Sequence, residues 1–460
     1  MSAPLWTAAE IAGATGGVLS GDFVVTGVTF DSREVEPGFL FIAMKGEADD
    51  GHRFVDAAID RGAVGLLVSE ATAHPHVFVA DTFAALEALA RAARARTDAR
   101  IIGVTGSVGK TGTKEALAAA LDRAEPGVTH KSVKSYNNHT GVPLSLARMP
   151  REAEFAVLEM GMNHPGELAH LTTLVRPHVA VVTAIAPAHT EFFADESAIA
   201  DAKGEIFAGL EPGGVAIAPY DSPHRDRLLA AAAPHAAQVV TFGTDPAADV
   251  HPIDVMRTAR GTFVSAAVRD RALSYTIAFP GAHWVSNSLA VLAAVDAAGG
   301  DLALAGLALA ELNDLPGRGQ RLRVPVGAGD ALLIDESYNA NPASMRATLA
   351  VLAQEPGRHI AVLGEMRELG EQTADFHAAL AEPILAANVE TILLVGEAMR
   401  PLAEALEQRL ETVHVPDAAT ARERLMAVLQ PGDTVLIKGS NGVGLSAIVA
   451  ALAATGAGAG

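Results

Sequence analysis

The densest chemistry in the sequence lies in IIGVTGSVGKTGTKEAL, residues 101–117. An apolar run ends at Thr105, a glycine turn follows, and a helical pattern begins near Lys110. Backbone N–H groups of such a turn converge on phosphate oxygens, and the helix N-terminus adds partial positive charge. Thr105, Gly106, Ser107, Val108, Gly109 and Gly112 would form this cradle. Lys110 would reach the outer phosphates of a nucleotide, and the Thr111 hydroxyl would ligate magnesium. A carboxylate suited to the same ion, Glu159, ends the run FAVLE. An acid at the carboxyl edge of a parallel strand faces the crevice where ligands sit, and magnesium prefers hard oxygen donors. Taken alone, a strand-terminal glutamate is more often a solvated end. A second acid, Asp335, ends LLIDE and could accept ribose hydroxyls. In SYNNHTGVPLSL, residues Asn137, Asn138 and Thr140 supply neutral donors and acceptors suited to peptide and sugar groups, although asparagine-rich turns are as often structural.

These residues need a frame. Residues 1–98 hold short β-like runs (23–30, 40–43, 64–68) and a helix with Phe83, Leu86, Leu89 and Ala90 on one face. Arg91, Arg94 and Arg96 near its end suit the helix dipole. Residues 99–313 alternate strand-like segments (101–105, 155–159, 179–183, 215–219, 239–242) with helical patterns, which argues a mostly parallel sheet. A hairpin at 262–268 and 273–279 breaks that rhythm. Residues 314–460 repeat it, with strands at 332–336, 359–364, 391–396 and 434–439, after a hinge at Leu315-Pro316-Gly317. The expected class is therefore α/β with three domains.

Composition bounds the function. The 460 residues suit about three domains of roughly 150 residues each. With no cysteine, disulfides and Cys-ligated zinc are excluded. The N-terminus lacks a basic region followed by an apolar stretch, and apolar runs fall short of the roughly 20 residues a membrane span needs. The net charge is -20 with no Lys/Arg run, which argues against nucleic acid as a partner. Positive charge for an anionic ligand must therefore be local.

The strict phosphate-loop pattern requires glycine where this chain has Val104. The variant TGSVGKT instead resembles the loop of the Mur ligase and folylpolyglutamate synthase superfamily. That resemblance implies a small α/β substrate domain, a central ATP-binding domain and a C-terminal Rossmann-like domain. EMGMNHPGEL after Leu158 resembles the family's magnesium-binding segment, which implies Glu159 as a ligand. AIAPAHTEFF is similar to a segment whose histidine meets a second magnesium, which implies that role for His189; a lone histidine here would otherwise read as a loop residue. AKGEI resembles a segment whose lysine reacts with carbon dioxide, so the resemblance implies a carbamate at Lys203, otherwise a surface helical lysine. GAHWVSNSLA resembles a segment whose asparagine contacts adenine, implying Asn287, with Trp284 standing where asparagine is common. GRGQRLRV resembles the basic segment at the domain junction, where Arg321 is favoured over Arg318 as the phosphate-facing residue.

The resemblance also reaches the substrates. TFDSREVEPGFLFIAMKGEADDGH resembles the uridine-nucleotide-binding domain, implying Ser32 and Arg33 at the diphosphate or sugar and Lys45, Gly46, Asp50 and His52 around uridine. DESYNANPASM, with Tyr338, Asn339 and Asn341, resembles the branch that adds D-alanyl-D-alanine. KGSN stands where that branch has KGSR, leaving Lys438 and Ser440 as candidates for the incoming dipeptide. The implied enzyme is a cytoplasmic, monomeric, ADP-forming ligase. It would use ATP and two magnesium ions, with UDP-N-acetylmuramoyl-tripeptide and D-alanyl-D-alanine as substrates. The alternatives are another amino-acid ligase of the family, whose DNPR-like motif is absent, or an inactive nucleotide-binding relative.

Overall fold

A computed structural model of the chain describes residues 4–46, 49–188, 190–258, 261–312 and 315–457. His189 lies outside the described residues. Three sheets of five, nine and six strands follow one another along the chain, with a two-stranded ribbon at the N-terminus.

The five-stranded sheet runs Val18–Ser20, His76–Phe78, Gly65–Val68, Phe39–Ile42 and Gly27–Thr29 in spatial order. The β-like run 23–30 does not form one strand. Val24–Val25 pairs with Trp6–Thr7, whereas Gly27–Thr29 pairs with Phe39–Phe41, so the chain changes partners between them. Helix Thr82–Ala95 starts at Asp81, whose carboxylate accepts from Phe83 N and Ala84 N, and it buries Leu86, Leu89 and Ala90. Arg94 does more than face the helix end. Its guanidinium donates to the carbonyls of Val175 and Arg176, both at 2.8 Å, and so ties this helix to the next unit. Trp6 Nε1 adds a donation to Ala147 O at 2.9 Å, and Tyr136 OH donates to Glu34 at 2.9 Å.

In the nine-stranded sheet, Thr129–Lys131, Phe155–Glu159, Arg100–Thr105, Val179–Val182, Val215–Pro219, Gln238–Phe242 and Val250–Thr258 are parallel. The expected hairpin, Gly261–Val268 with Arg271–Ile277, closes one edge. Strand Val250–Thr258 was not visible in the sequence pattern because most of its side chains are exposed; its backbone pairing with Gly261–Val268 holds it. Helices Lys110–Asp122 and Ala282–Ala298 pack on one face, where Leu117, Leu121, Leu289 and Leu292 are buried with Ile102, Val181 and Ile217.

The six-stranded sheet has the order Gln320–Val326, Gly329–Glu336, Thr434–Lys438, His359–Gly364, Val389–Val395 and Thr412–Val415. Its first pair is an antiparallel hairpin and the rest are parallel. Helix Pro342–Leu352 and the helices after His359–Gly364 cover one face, while the helices Ala418–Val428 and Ser446–Ala457 cover the other. This unit docks on the central one through Arg257, which donates to Gln354 Oε1 at 2.8 Å and Glu355 at 2.6 Å, and through Thr190 Oγ1, which donates to Leu369 O at 3.0 Å.

Candidate functional site

Strand Arg100–Thr105 sits between Phe155–Glu159 and Val179–Val182, so three carboxyl edges open onto one crevice. The glycine turn leaves the first of them. At Gly106 φ is +150°, and a Cβ there would stand 1.9 Å from Thr183 Oγ1, so no other residue fits. Thr183 Oγ1 in turn donates to Val108 O at 2.6 Å, and Ser107 Oγ accepts from Ala186 N at 3.1 Å. The turn is thus held from the neighbouring strand end.

Glu159 is 1% exposed and occupies the centre. Thr111 Oγ1 donates to Glu159 Oε2 at 2.8 Å, Asn137 Nδ2 donates to Oε1 at 2.7 Å, and Ser132 Oγ accepts from Glu159 N at 3.1 Å. A threonine hydroxyl and a carboxylate in contact form an oxygen donor set that fits magnesium. Lys110 Nζ donates to Gly106 O at 2.7 Å. Burial lowers its pKa, the Glu159 carboxylate opposes that, and the Arg318 guanidinium adds to it.

Lys203 is 1% exposed on helix Glu196–Gly204, which Asp195 caps by accepting from Ala198 N. Its Nζ has no hydrogen bond or ion pair among the described residues. Burial pushes its pKa well below the ordinary amine value, and the nearby Lys110 ammonium pushes it the same way. Burial without a counter-charge favours the neutral form of an amine, which is the nucleophilic one.

One residue of this site, Lys114, is absent from the sequence-based expectations, and another, Arg318, ranks there below Arg321. Lys114 is fully buried one turn beyond Lys110. It donates to Ser132 O at 3.0 Å and Lys134 O at 2.6 Å and lies 2.9 Å from Glu115 and 3.9 Å from Glu159. Its i, i+4 spacing from Lys110 was the available signal, since that spacing shares a helix face. The second is Arg318. Its NH2 donates to Ser135 Oγ at 3.1 Å, and Ser135 Oγ lies 3.3 Å from Thr111 Oγ1. Arg321, the arginine favoured from sequence, instead pairs with Glu355. It stands in an antiparallel strand beginning at Gln320, on the cavity at the junction of the two units.

Asn287 Oδ1 lies 2.7 Å from where a Cβ on Gly109 would stand, at the same loop. Trp284 fills the asparagine's usual position by stacking on Phe279, with centroids 4.5 Å apart and planes 17° apart. Phe279, His283, Trp284, Arg321, Glu336 and Val351 line a cavity between the central and C-terminal units. Asp335 borders this region but is turned inward. It accepts from Gly317 N at 2.8 Å, Ser337 N at 3.0 Å and Ser337 Oγ at 2.6 Å, which ties the segment at Gly317 to the strand end.

The proposed substrate residues divide in the same way. Tyr338 carries the Arg318 guanidinium 4.3 Å above its ring. Asn341 caps helix Pro342–Leu352, accepting from Ser344 N. Asn339 O accepts from Lys438 Nζ at 2.9 Å, and Lys438 also pairs with Glu336 at 3.3 Å. Ser440 Oγ accepts from Arg367 N at 3.1 Å. Asn138 accepts from Thr140 N, Thr140 Oγ1 and Gly141 N, while Thr140 stands at the N-cap of helix Gly141–Ala147. In the first unit, Ser32 opens a one-turn helix and Arg33 folds onto Asp31 with its side chain 84% exposed. Lys45 lies 3.7 Å from Asp50, Gly46 N donates to Asp49 O, and His52 bridges Asp50 Oδ1 at 2.6 Å and Ser69 N at 2.9 Å. These side chains and the Asn137–Glu159 pair lie in different units, so a ligand touching both must be long.

Comparison with known proteins fits this geometry. Family models match at residues 24–101 (Mur ligase family, catalytic domain), 104–295 (Mur ligase middle domain) and 317–441 (Mur ligase, glutamate ligase domain). The chain is 35% identical to the UDP-N-acetylmuramoyl-tripeptide--D-alanyl-D-alanine ligase of Escherichia coli strain K12, over 97% of this chain and 98% of that protein. A crystal structure of MurF from Acinetobacter baumannii superposes with a TM-score of 0.86 at 30% identity, covering 98% of this chain and 99% of that one. MurF ligase from Thermotoga maritima in complex with ADP gives a TM-score of 0.78 at 26% identity, covering 94% and 98%.

Proposed function

Since the chain belongs to the Mur ligase family, we propose that it joins D-alanyl-D-alanine to UDP-N-acetylmuramoyl-tripeptide with conversion of ATP to ADP and phosphate. The observation that carries this reading is that Lys110, Thr111, Glu159 and the buried Lys203, which has no hydrogen bond or ion pair among the described residues, gather at the carboxyl edge of the central sheet.

A carboxylate is a poor electrophile because its leaving group would be oxide. The γ-phosphoryl group of ATP transfers to the tripeptide's terminal carboxylate, which makes an acyl phosphate and ADP. The neutral amine of the dipeptide then attacks the acyl carbon. Phosphate leaves with the former carboxylate oxygen, and the amine gives up a proton. Lys110 and Arg318 bring positive charge to the triphosphate. Thr111, Glu159, His189 and a carbamate on Lys203 would hold magnesium, which supplies charge neutralisation at the phosphates when bound. Burial that favours the neutral Lys203 amine suits carbamate formation, in which a nitrogen–carbon bond forms and one proton is released. Asn137 keeps Glu159 aimed at Thr111 and would meet the peptide end of the substrate. Much of the acceleration is positioning.

The loops at Ser32, Arg33, Lys45 and His52 would take the uridine diphosphate end, remote from the reacting carboxylate. Among the described residues no helix is long and apolar enough to cross a membrane. That fits a cytoplasmic enzyme working on a nucleotide-linked precursor, and we take it to act as a monomer. Purified protein with magnesium-ATP, UDP-muramoyl-tripeptide and D-alanyl-D-alanine should release phosphate and form the pentapeptide. Phosphate release with a single amino acid but not the dipeptide would assign another branch of the family.

A further inference from the structure

In the C-terminal sheet, Thr434–Lys438 lies beside His359–Gly364, and both run parallel. The chain leaving Gly364 packs its helices on one face, and the chain leaving Lys438 sends helix Ser446–Ala457 to the other. Loops that part in this way open a crevice at the carboxyl edge, the usual ligand position in such sheets. Two hydrogen bonds stitch the rims together: Ser440 N donates to Glu365 O at 3.0 Å, and Arg367 N donates to Ser440 Oγ at 3.1 Å.

Arg367 stands on that rim. Its NH2 donates to Gly442 O at 3.1 Å, across the crevice mouth. The residue is exposed and has no ion pair among the described residues. The other cation there, Lys438, is buried and already bound to Glu336 and Asn339 O. Arg367 therefore has unused donors in the fork geometry that matches a carboxylate. The same loop reaches the central unit immediately afterwards: Glu368 O accepts from Glu191 N at 3.4 Å, and Leu369 O accepts from Thr190 Oγ1.

We infer that Arg367 binds the terminal carboxylate of the incoming dipeptide, a role that rests on the ligase reaction proposed above. A dipeptide spans only about 7 Å when extended. Its carboxylate must therefore be gripped close to the seam if its amine is to reach an acyl phosphate in the central crevice. Arg367 is the exposed cation one residue from that seam. Its contact with Gly442 O holds the guanidinium over the turn before the ligand arrives.

The test compares D-alanyl-D-alanine with its C-terminal amide in wild type, Arg367→Gln and Arg367→Lys. Wild type should favour the acid. Arg367→Gln should raise KM for the acid about 10- to 100-fold, the worth of a charged hydrogen bond, and leave KM for ATP and the muramoyl tripeptide unchanged. Rates with the amide should hardly move, so the preference for the acid collapses; Arg367→Lys should retain part of it. An equal loss on acid and amide would reveal a structural role, and an intact acid preference in Arg367→Gln would overturn the inference. Should wild type itself ignore the dipeptide, the reaction is wrong, which is a separate outcome.

Discussion

The central and C-terminal units each offer a crevice at the carboxyl edge of parallel strands, yet they use their polar residues differently. In the central crevice the motif residues face one another: Thr111 and Asn137 both donate to Glu159, with Lys114 behind. In the C-terminal unit the motif residues mostly serve the backbone: Asp335 fixes the hinge, Asn341 caps a helix, and Ser440 joins two loops. The first arrangement gathers polar groups around a buried carboxylate. The second stitches its rim with hydrogen bonds and leaves recognition to an exposed arginine. A string of polar residues at a strand end therefore carries different meanings, and only the side-chain geometry separates them.

The contrast can be broken by mutation. Lys110→Ala should have the largest effect, lowering kcat about 1,000-fold or more while the circular dichroism spectrum stays unchanged. A loss under tenfold would remove the loop from the chemistry. Lys203→Ala should lower kcat about 100- to 1,000-fold, and short carboxylates added to the buffer should restore part of the rate. Near-normal activity without added carboxylate would reject the carbamate.

Arginine substitution sharpens the comparison at the junction. Arg318→Ala, which empties the contact with Ser135, should reduce kcat about 10- to 100-fold. Arg321→Ala should leave kcat within about threefold, because Glu355 keeps Arg257 as a partner. The reverse order would return Arg321 to the phosphate site. The smallest effect is expected at Asn341→Ala. Loss of the cap should cost about 1 kcal/mol in a denaturant titration, with activity per folded molecule unchanged. A large rise in KM for the dipeptide at constant stability would instead make Asn341 a substrate contact.

Much of the molecule was legible in the sequence, for identifiable reasons. The strands Arg100–Thr105, Phe155–Glu159 and Val179–Val182 are buried on both faces and read as continuous apolar runs. Val250–Thr258 and Thr412–Val415 lacked such runs, because side chains there are largely exposed or half-buried and main-chain pairing defines them. At the site, the crowding around Gly106 explains why the glycine motif marks the loop so clearly. Which of Arg318 and Arg321 reaches Ser135 was not legible, since it depends on how the chain turns at Gly317, where φ is +73°, before entering its strand. Lys114 was hidden because a lysine inside a helix reads as a solvated one until its carbonyl partners are known.

The central claim is that ATP activates the tripeptide's carboxylate by phosphorylating it. Isotope transfer tests this most directly. With 18O in the terminal carboxylate of UDP-muramoyl-tripeptide, turnover with D-alanyl-D-alanine should deliver one 18O atom into each inorganic phosphate released. Pentapeptide formed at the normal rate, with unlabelled phosphate, would contradict the account.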